Sequence, residues 1–494
     1  MWAAHARVLS AMHPGDTARL YHELTSYAPE REWPEVIDDP RILQDFESSD
    51  PDRVPAPCKA YRPGLPRVDL PRSWPPVTTP ATAVLAGRGA RAPSAPDLPS
   101  LARLLHLSAG VVRATEKRGR RWLFRAAGSA GGRAPYELYV SARGVDGLDD
   151  GVHWYDPAGH ALMRVGPPAG GDATTLVVTG VPWRTGWKYA ERGFRHIYWD
   201  SGTMLSQALA LAESAGLQPR LWTTFPDADV TRLVGADGTH EFAVALVALD
   251  EGRPAIAPQG EAATGAVDAA PPLEFPLVTR AQRAGDGDRL GDPWPAAASL
   301  DTEPPASRDL DEVILTRGST RRMDAAATIP RDVFDWVVAL GLRGTRLPHF
   351  IAVHGVDGMD PGLYRWPDLA RPLRHEPMRE EMLRFCWDQD LGRDAAFVVV
   401  GAADTTVLDD RGYREAQLGA GLVEGRLHLA AYALGIGASG MTFLDSEVER
   451  LTGEPLAGLL VTCVGVPTYR SKAGGRPGEP AAVVTPEAGL TPTS

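Results

Sequence analysis

Three short clusters in this chain combine residue types that could hold a phosphate or a flat ring. Arg317-Gly318-Ser319-Thr320-Arg321 sets two guanidinium groups on either side of a serine. Guanidinium forks match phosphate geometry and the hydroxyl adds a further donor, so the stretch can close on one phosphate. In isolation the same letters also describe a solvated basic turn. Gly435-Ile436-Gly437-Ala438-Ser439-Gly440 matches the GxGxxG dinucleotide pattern. That fingerprint needs a strand before it and a helix after it, whereas Leu427 to Leu434 read as the end of a helix. Two readings remain: a helix C-cap with glycines at positive φ, or a glycine-rich turn whose backbone approaches a flat cofactor. The third cluster, Gly128-Ser129-Ala130-Gly131-Gly132, precedes a strand. Its backbone amides could reach a ring system, or it is a plain flexible turn.

The elements that must position these clusters occur twice. Arg192-Gly193-Phe194-Arg195 returns as Arg411-Gly412-Tyr413-Arg414, and Gly202 returns as Gly421, both 219 residues on. Gly144-Val145-Asp146-Gly147 returns 211 residues on as Gly355-Val356-Asp357-Gly358, and Arg133-Ala134-Pro135 returns 213 on as Arg346-Leu347-Pro348. Near-constant spacing over separate segments means two domain-sized copies of one unit. The chain divides into a Pro-rich extension (1–80), a first copy (81–250), a Pro/Ala/Gly/Asp-rich linker (251–305), a second copy (306–472) and a flexible Gly/Pro/Thr-rich tail (473–494). Strands are predicted at Tyr136–Ser141, Phe242–Val247, Phe350–Val353, Ala396–Val400 and Leu459–Val464, and a long helix from about residue 200. Strands and helices in this order predict an α+β fold.

Composition narrows the function. With 494 residues and a net charge of −12, the chain has no basic footprint for nucleic acid. Its three cysteines, Cys58, Cys386 and Cys463, lie far apart and make neither a metal pair nor a disulfide framework. No apolar run reaches the ~18 residues of a membrane span, and Met1-Trp2-Ala3-Ala4-His5 opens no signal peptide. The reading is a soluble cytoplasmic protein. Tyr21-His22-Glu23 has no partner ligand at metal spacing, so no metal is expected; Walker A, HExxH and GxSxG motifs are absent as well.

Taken in order along the chain, the Ser-Ala-Gly-Gly loop, the RxSxR motif and the distal Gly-Ala-Ser-Gly segment resemble the FMN-dependent nitroreductase superfamily. More narrowly the chain resembles the SagB/ThcOx-type dehydrogenases, the azoline oxidases of thiazole- and oxazole-modified peptide biosynthesis. Further matching residues are Tyr21-His22-Glu23-Leu24-Thr25-Ser26-Tyr27, Lys188-Tyr189-Ala190-Glu191-Arg192 and Gly440-Met441-Thr442-Phe443-Leu444-Asp445.

The resemblance implies two tandem nitroreductase-like domains, each a mixed sheet flanked by helices, forming an internal pseudo-dimer. In that family each FMN lies between two subunits. One supplies RxSxR, the glycine-rich turn and distal basic residues; the other supplies the small-residue loop. Carried over, copy two keeps Arg317, Ser319, Arg321, Gly437, Ala438, Ser439 and Gly440, with Arg470 or Lys472 as distal basic residue, and copy one keeps Ser129, Ala130, Gly131 and Gly132. Copy one has only Arg88-Gly89-Ala90-Arg91 in place of RxSxR and Ala215–Arg220 in place of the glycine turn, and copy two has Leu342-Arg343-Gly344-Thr345 in place of the loop. The retained parts make one site and the lost parts the other, so one FMN per chain is expected. The resemblance also implies that Lys188 and Tyr189 serve proton transfer; the alternative is a structural pair with Lys188 bound to Glu191. The implied activity is oxidation of thiazolines or oxazolines in a ribosomal precursor peptide, with a cyclodehydratase as partner. The alternatives are an NAD(P)H-dependent FMN nitro/quinone reductase and a flavin-free scaffold of a cyclodehydratase complex.

Overall fold

The computed structural model describes residues 13–29, 41–43, 46–89, 92–117 and 119–483. Two antiparallel sheets dominate it. The first has seven strands, in spatial order Arg67–Asp69, Ala161–Gly166, Gly151–Asp156, Tyr136–Ala142, Thr175–Gly180, Phe242–Ala248 and Arg220–Trp222. The second has five: Gly362–Arg365, His349–Val353, Phe397–Ala403, Ala457–Gly465 and Gly437–Met441. The last five strands of the first sheet follow the same order as the five of the second, so the duplication read from spacing is a duplication of topology. The central strands Tyr136–Ala142 and Phe397–Ala403 are buried on both faces throughout. Such strands must be covered on both sides, and the helices do this.

The two copies meet through the helices Gly193–Ser214 and Asp410–Ala433. Their glycines explain the close approach. A Cβ on Gly202 would strike the Leu418 carbonyl, and one on Gly421 the Trp199 carbonyl. Glycine costs about 1 kcal/mol in a helix interior, and here backbone-to-backbone contact requires it. Gly421→Ala is expected to lower stability by about 2–3 kcal/mol through overpacking; equal urea midpoints for variant and parent would refute this contact as a determinant of stability.

Ion pairs cross the interface reciprocally. Arg192 and Arg195 of copy one bind Asp445 of copy two at 2.7 and 2.6 Å. Arg411 and Arg414 of copy two bind Asp227 of copy one, the latter at 3.1 Å. The aspartates stand 218 residues apart, each two residues after a phenylalanine in Thr224-Phe225-Pro226-Asp227 and Thr442-Phe443-Leu444-Asp445. One patch meeting its own counterpart is the signature of a twofold interface. The main hydrophobic core runs across it, from Leu101 and Ile197 in copy one to Val338 and Leu427 in copy two.

Three expectations change. The 251–305 segment is no free linker: it contains the helix Pro276–Ala284 and bridges to the extension at Ala60–Ala266 and to copy one at Gly170–Ala257. The start of the supposed flexible tail is fixed, since Ala481–Ala482 pairs in parallel with Arg113–Ala114; residues 484–494 lie outside the described residues. Gly437–Met441 is an edge strand, not a turn. Among the described residues no helix is long and apolar enough to cross a membrane.

Candidate functional site

The copy-two motifs are neighbours. Arg317 caps the helix Leu310–Thr316 and the chain then runs beside the edge strand, where the Thr320 amide donates to the Ala438 carbonyl at 2.9 Å. A Cβ on Gly437 would strike Thr320 Oγ1, and one on Gly440 would strike Glu424. These glycines are therefore demanded by the protein's own side chains. The amide of Arg321 donates to Tyr469 Oη at 2.8 Å, and Ser471 lies against Gly318. Arg470 and Lys472 flank that contact in sequence, but both are exposed.

Arg317 reaches into copy one. Its guanidinium is buried, donates to the Ala126 carbonyl at 2.7 Å, and lies 3.4 Å from His428 Nδ1. Burial lowers its proton affinity from the ordinary arginine value. A Cβ on Gly128 would sit 3.2 Å from Arg317 Nη1. The RxSxR motif of one copy thus abuts the small-residue loop of the other. Arg321, by contrast, is exposed, so the two arginines do not share an environment.

The loop closes on Lys188 and Tyr189. Ala130–Gly132 is a single 3-10 turn with Gly131 at φ 60° and Gly132 at φ 67°, left-handed values that favour glycine. A Cβ on Gly131 would lie 3.2 Å from both Lys188 Nζ and Tyr189 Oη. Lys188 lies in the last turn of the helix Pro182–Tyr189. It is not paired with Glu191, whose carboxylate instead accepts the amides of Leu43 and Val278. Burial, then Arg133 and Arg321, lower the proton affinity of Lys188. Burial, then Asp200, hold the proton on Tyr189. Its ring stacks on His196 with centroids 4.0 Å apart.

Two acids at this junction were not singled out from sequence. Asp200 is buried and accepts from Ser129 Oγ at 2.6 Å and from the Ala130 amide at 3.1 Å. Burial, partly offset by those two bonds, raises its pKa to about 8. Glu424 accepts from Thr203 Oγ1 at 3.0 Å, and burial raises it to about 7. Each lies mid-helix, where a lone carboxylate carries no motif. The signal that could have found them is a charged residue inside an otherwise interfacial helix.

The pseudo-twofold mate of this junction is filled by the chain itself. Copy two's edge strand is flanked by the Thr320 segment, whereas copy one's Arg220–Trp222 is covered by the connector: Trp294 N donates to Leu221 O at 2.6 Å and Gly291 N to Thr224 O at 3.0 Å. Gly419, 219 residues beyond Asp200, faces the Trp294 indole: a Cβ there would lie 3.5 Å from the ring. Arg343, beside the counterpart of the small-residue loop, donates to the carbonyls of Ala297 and Ala298 at 3.2 and 3.1 Å. Arg88, the counterpart of Arg317, donates to Leu300 O at 2.8 Å and pairs with Glu303. Arg91 lies outside the described residues. Residues 291–303 therefore thread the whole mirror position. A cavity of about 320 Å³ between copy one and the connector, lined by His240, Glu241 and Asp268, gathers none of the junction residues.

No family model matches the chain. A curated protein of Methanocaldococcus jannaschii described as a nitroreductase is 28% identical over 133 residues, 24% of this chain; the match spans only 65% of that relative's length. A crystal structure of a protein from Anabaena variabilis, also described as a nitroreductase, superposes with a TM-score of 0.68 at 24% identity, over 91% of this chain and 99% of its own. A microcin synthetase complex of E. coli aligns at 15% identity over 50% of this chain and 85% of that one, and at a TM-score of 0.27 it carries no weight. The Anabaena alignment runs through both copies and nearly all of its own chain, so the chain has a nitroreductase fold, written twice in one polypeptide.

Proposed function

We propose that this chain is an FMN-dependent oxidoreductase of the nitroreductase superfamily that dehydrogenates thiazoline or oxazoline rings in a ribosomal precursor peptide, acting in the cytoplasm beside a cyclodehydratase. The observation that supports it most is Lys188 standing with Tyr189 against Gly131 in the junction of the copies.

The junction fits a flat anionic group. Arg317 Nε and His428 Nε2 are buried with no hydrogen-bond partner. Gly128 and Gly131 bring their backbone close against Arg317 and Lys188. Arg317, Ser319 and Arg321 are the candidates for the phosphate, with Arg470 or Lys472 beyond them. Ser129–Gly132 and Gly437–Gly440 flank the ring position. Bound there, FMN supplies the acceptor for the two electrons that leave the substrate ring.

Aromatising an azoline removes a hydride from one carbon and a proton from its neighbour, and the chain must take that proton. Of the two candidates only Lys188 is shifted towards the neutral base, by burial and by Arg133 and Arg321. Tyr189 is shifted the other way and keeps its proton. Lys188 is thus the base and Tyr189 a donor that orients the substrate.

Purified protein is to be incubated with a thiazoline-bearing peptide in air and followed by mass spectrometry. Loss of two hydrogens per ring is the expected result. Lys188→Met is expected to keep the flavin spectrum and lose roughly 10²-fold or more in turnover. Wild-type turnover should rise with pH through a midpoint below the usual lysine value of about 10.4. Turnover only with NAD(P)H and a nitro or quinone substrate would replace this reading with a reductase.

A further inference from the structure

Asp200 anchors the turn that carries Gly131. The Ser129 hydroxyl donates to one of its oxygens at 2.6 Å, and the Ala130 amide lies 3.1 Å from both. The same Ser129 oxygen accepts the Ala134 amide at 2.7 Å. The turn is therefore tied at its start to a helix and at its end to itself. Gly131, between the ties, is the residue against Lys188 Nζ and Tyr189 Oη.

Helix packing does not need an acid here. Asp200 is 4% exposed within the first long helix. Its counterpart in the second is Gly419, packed against Leu347 and Trp294. An aspartate stands only on the side whose loop has the small-residue sequence, and burying a carboxyl is costly unless its bonds are used.

We infer that Asp200 is a positioning residue of the junction site: through Ser129 and Ala130 it holds the Gly131 turn against Lys188 and Tyr189, and so places the proton acceptor and the flavin-facing loop. This rests on the proposed FMN reading.

Asp200→Ala, Asp200→Asn and Ser129→Ala are to be compared with wild type. In the flavin-free protein, amide hydrogen exchange over residues 129–134 should rise about tenfold in Asp200→Ala and stay within about threefold in Asp200→Asn, whose amide oxygen still accepts from Ser129 or Ala130. Exchange over the helix Asp410–Ala433 should be unchanged in both. FMN titration should show about tenfold weaker binding in Asp200→Ala, with kcat falling more than KM rises, and recovery in Asp200→Asn. Ser129→Ala should resemble Asp200→Ala. Unchanged exchange at 129–134 in Asp200→Ala would overturn the inference, as would an Asp200→Asn variant as impaired as alanine. If wild type binds no FMN, the FMN reading fails, while the exchange experiment still decides whether Asp200 holds the turn.

Discussion

Arg317→Ala combined with Arg321→Ala should strip the protein of flavin, while Arg88→Ala should leave one FMN per chain. A charge-assisted hydrogen bond is worth about 1.5–3 kcal/mol. Losing two therefore weakens binding by roughly 10² to 10⁴-fold. Arg317 also holds the Ala126 carbonyl, so its loss reduces stability as well. Arg321 is exposed and without that duty, and Arg321→Ala alone should weaken FMN with the melting temperature unchanged. Absorbance of released flavin per chain checks the count. Two FMN per chain would refute the single site, because residues 291–303 would then have to leave the mirror position. Arg88 contacts that segment and not the junction, so its removal should move stability slightly and flavin content not at all.

Asp445→Ala should destabilise the chain by about 3–5 kcal/mol, the cost of leaving buried partner charges unpaired. Arg192 and Arg195 are both fully buried, and each has Asp445 as its ion-pair partner. Asp227→Ala should cost less, because Arg414 keeps Asp286 at 2.9 Å. Urea unfolding of the two variants checks the order, and equal losses would mean that the Asp286 contact contributes nothing. A pH signature accompanies it. Burial works to raise the Asp445 carboxyl, but Arg192 and Arg195 overcome it and hold it well below the usual carboxylate value. A depressed carboxylate stabilises the fold above its unfolded value, about 3.9, and that contribution is lost as pH falls towards the folded value. Asp445→Asn should remove this acid-side loss; an unchanged acid limb would assign it elsewhere.

The duplication, the α+β class and the main strands were legible because each rests on local information. Apolar runs such as Phe397-Val398-Val399-Val400 must be buried wherever they lie, and a copied segment keeps its spacing. Sequence also put Lys188 and Tyr189 side by side, but it did not give the opposite shifts of their proton affinities. Those shifts come from burial and from Arg133, Arg321 and Asp200, all supplied by other segments. Composition misread residues 251–305 and 473–483. Segments rich in Pro, Gly and Ala make no periodic pattern, yet the N–H groups of their other residues, such as Trp294, can bond to an edge strand brought alongside. Asp200, Glu424 and the reciprocal Asp227 and Asp445 pairs were silent for a related reason: each acts on a residue 70 or more positions away. The sequence by itself determined that one unit occurs twice and which copy keeps which motif. Only the tertiary structure decided that the connector fills the mirror position and that a mid-helix carboxyl grips the Gly131 turn, because contacts between distant segments exist only once the chain is packed.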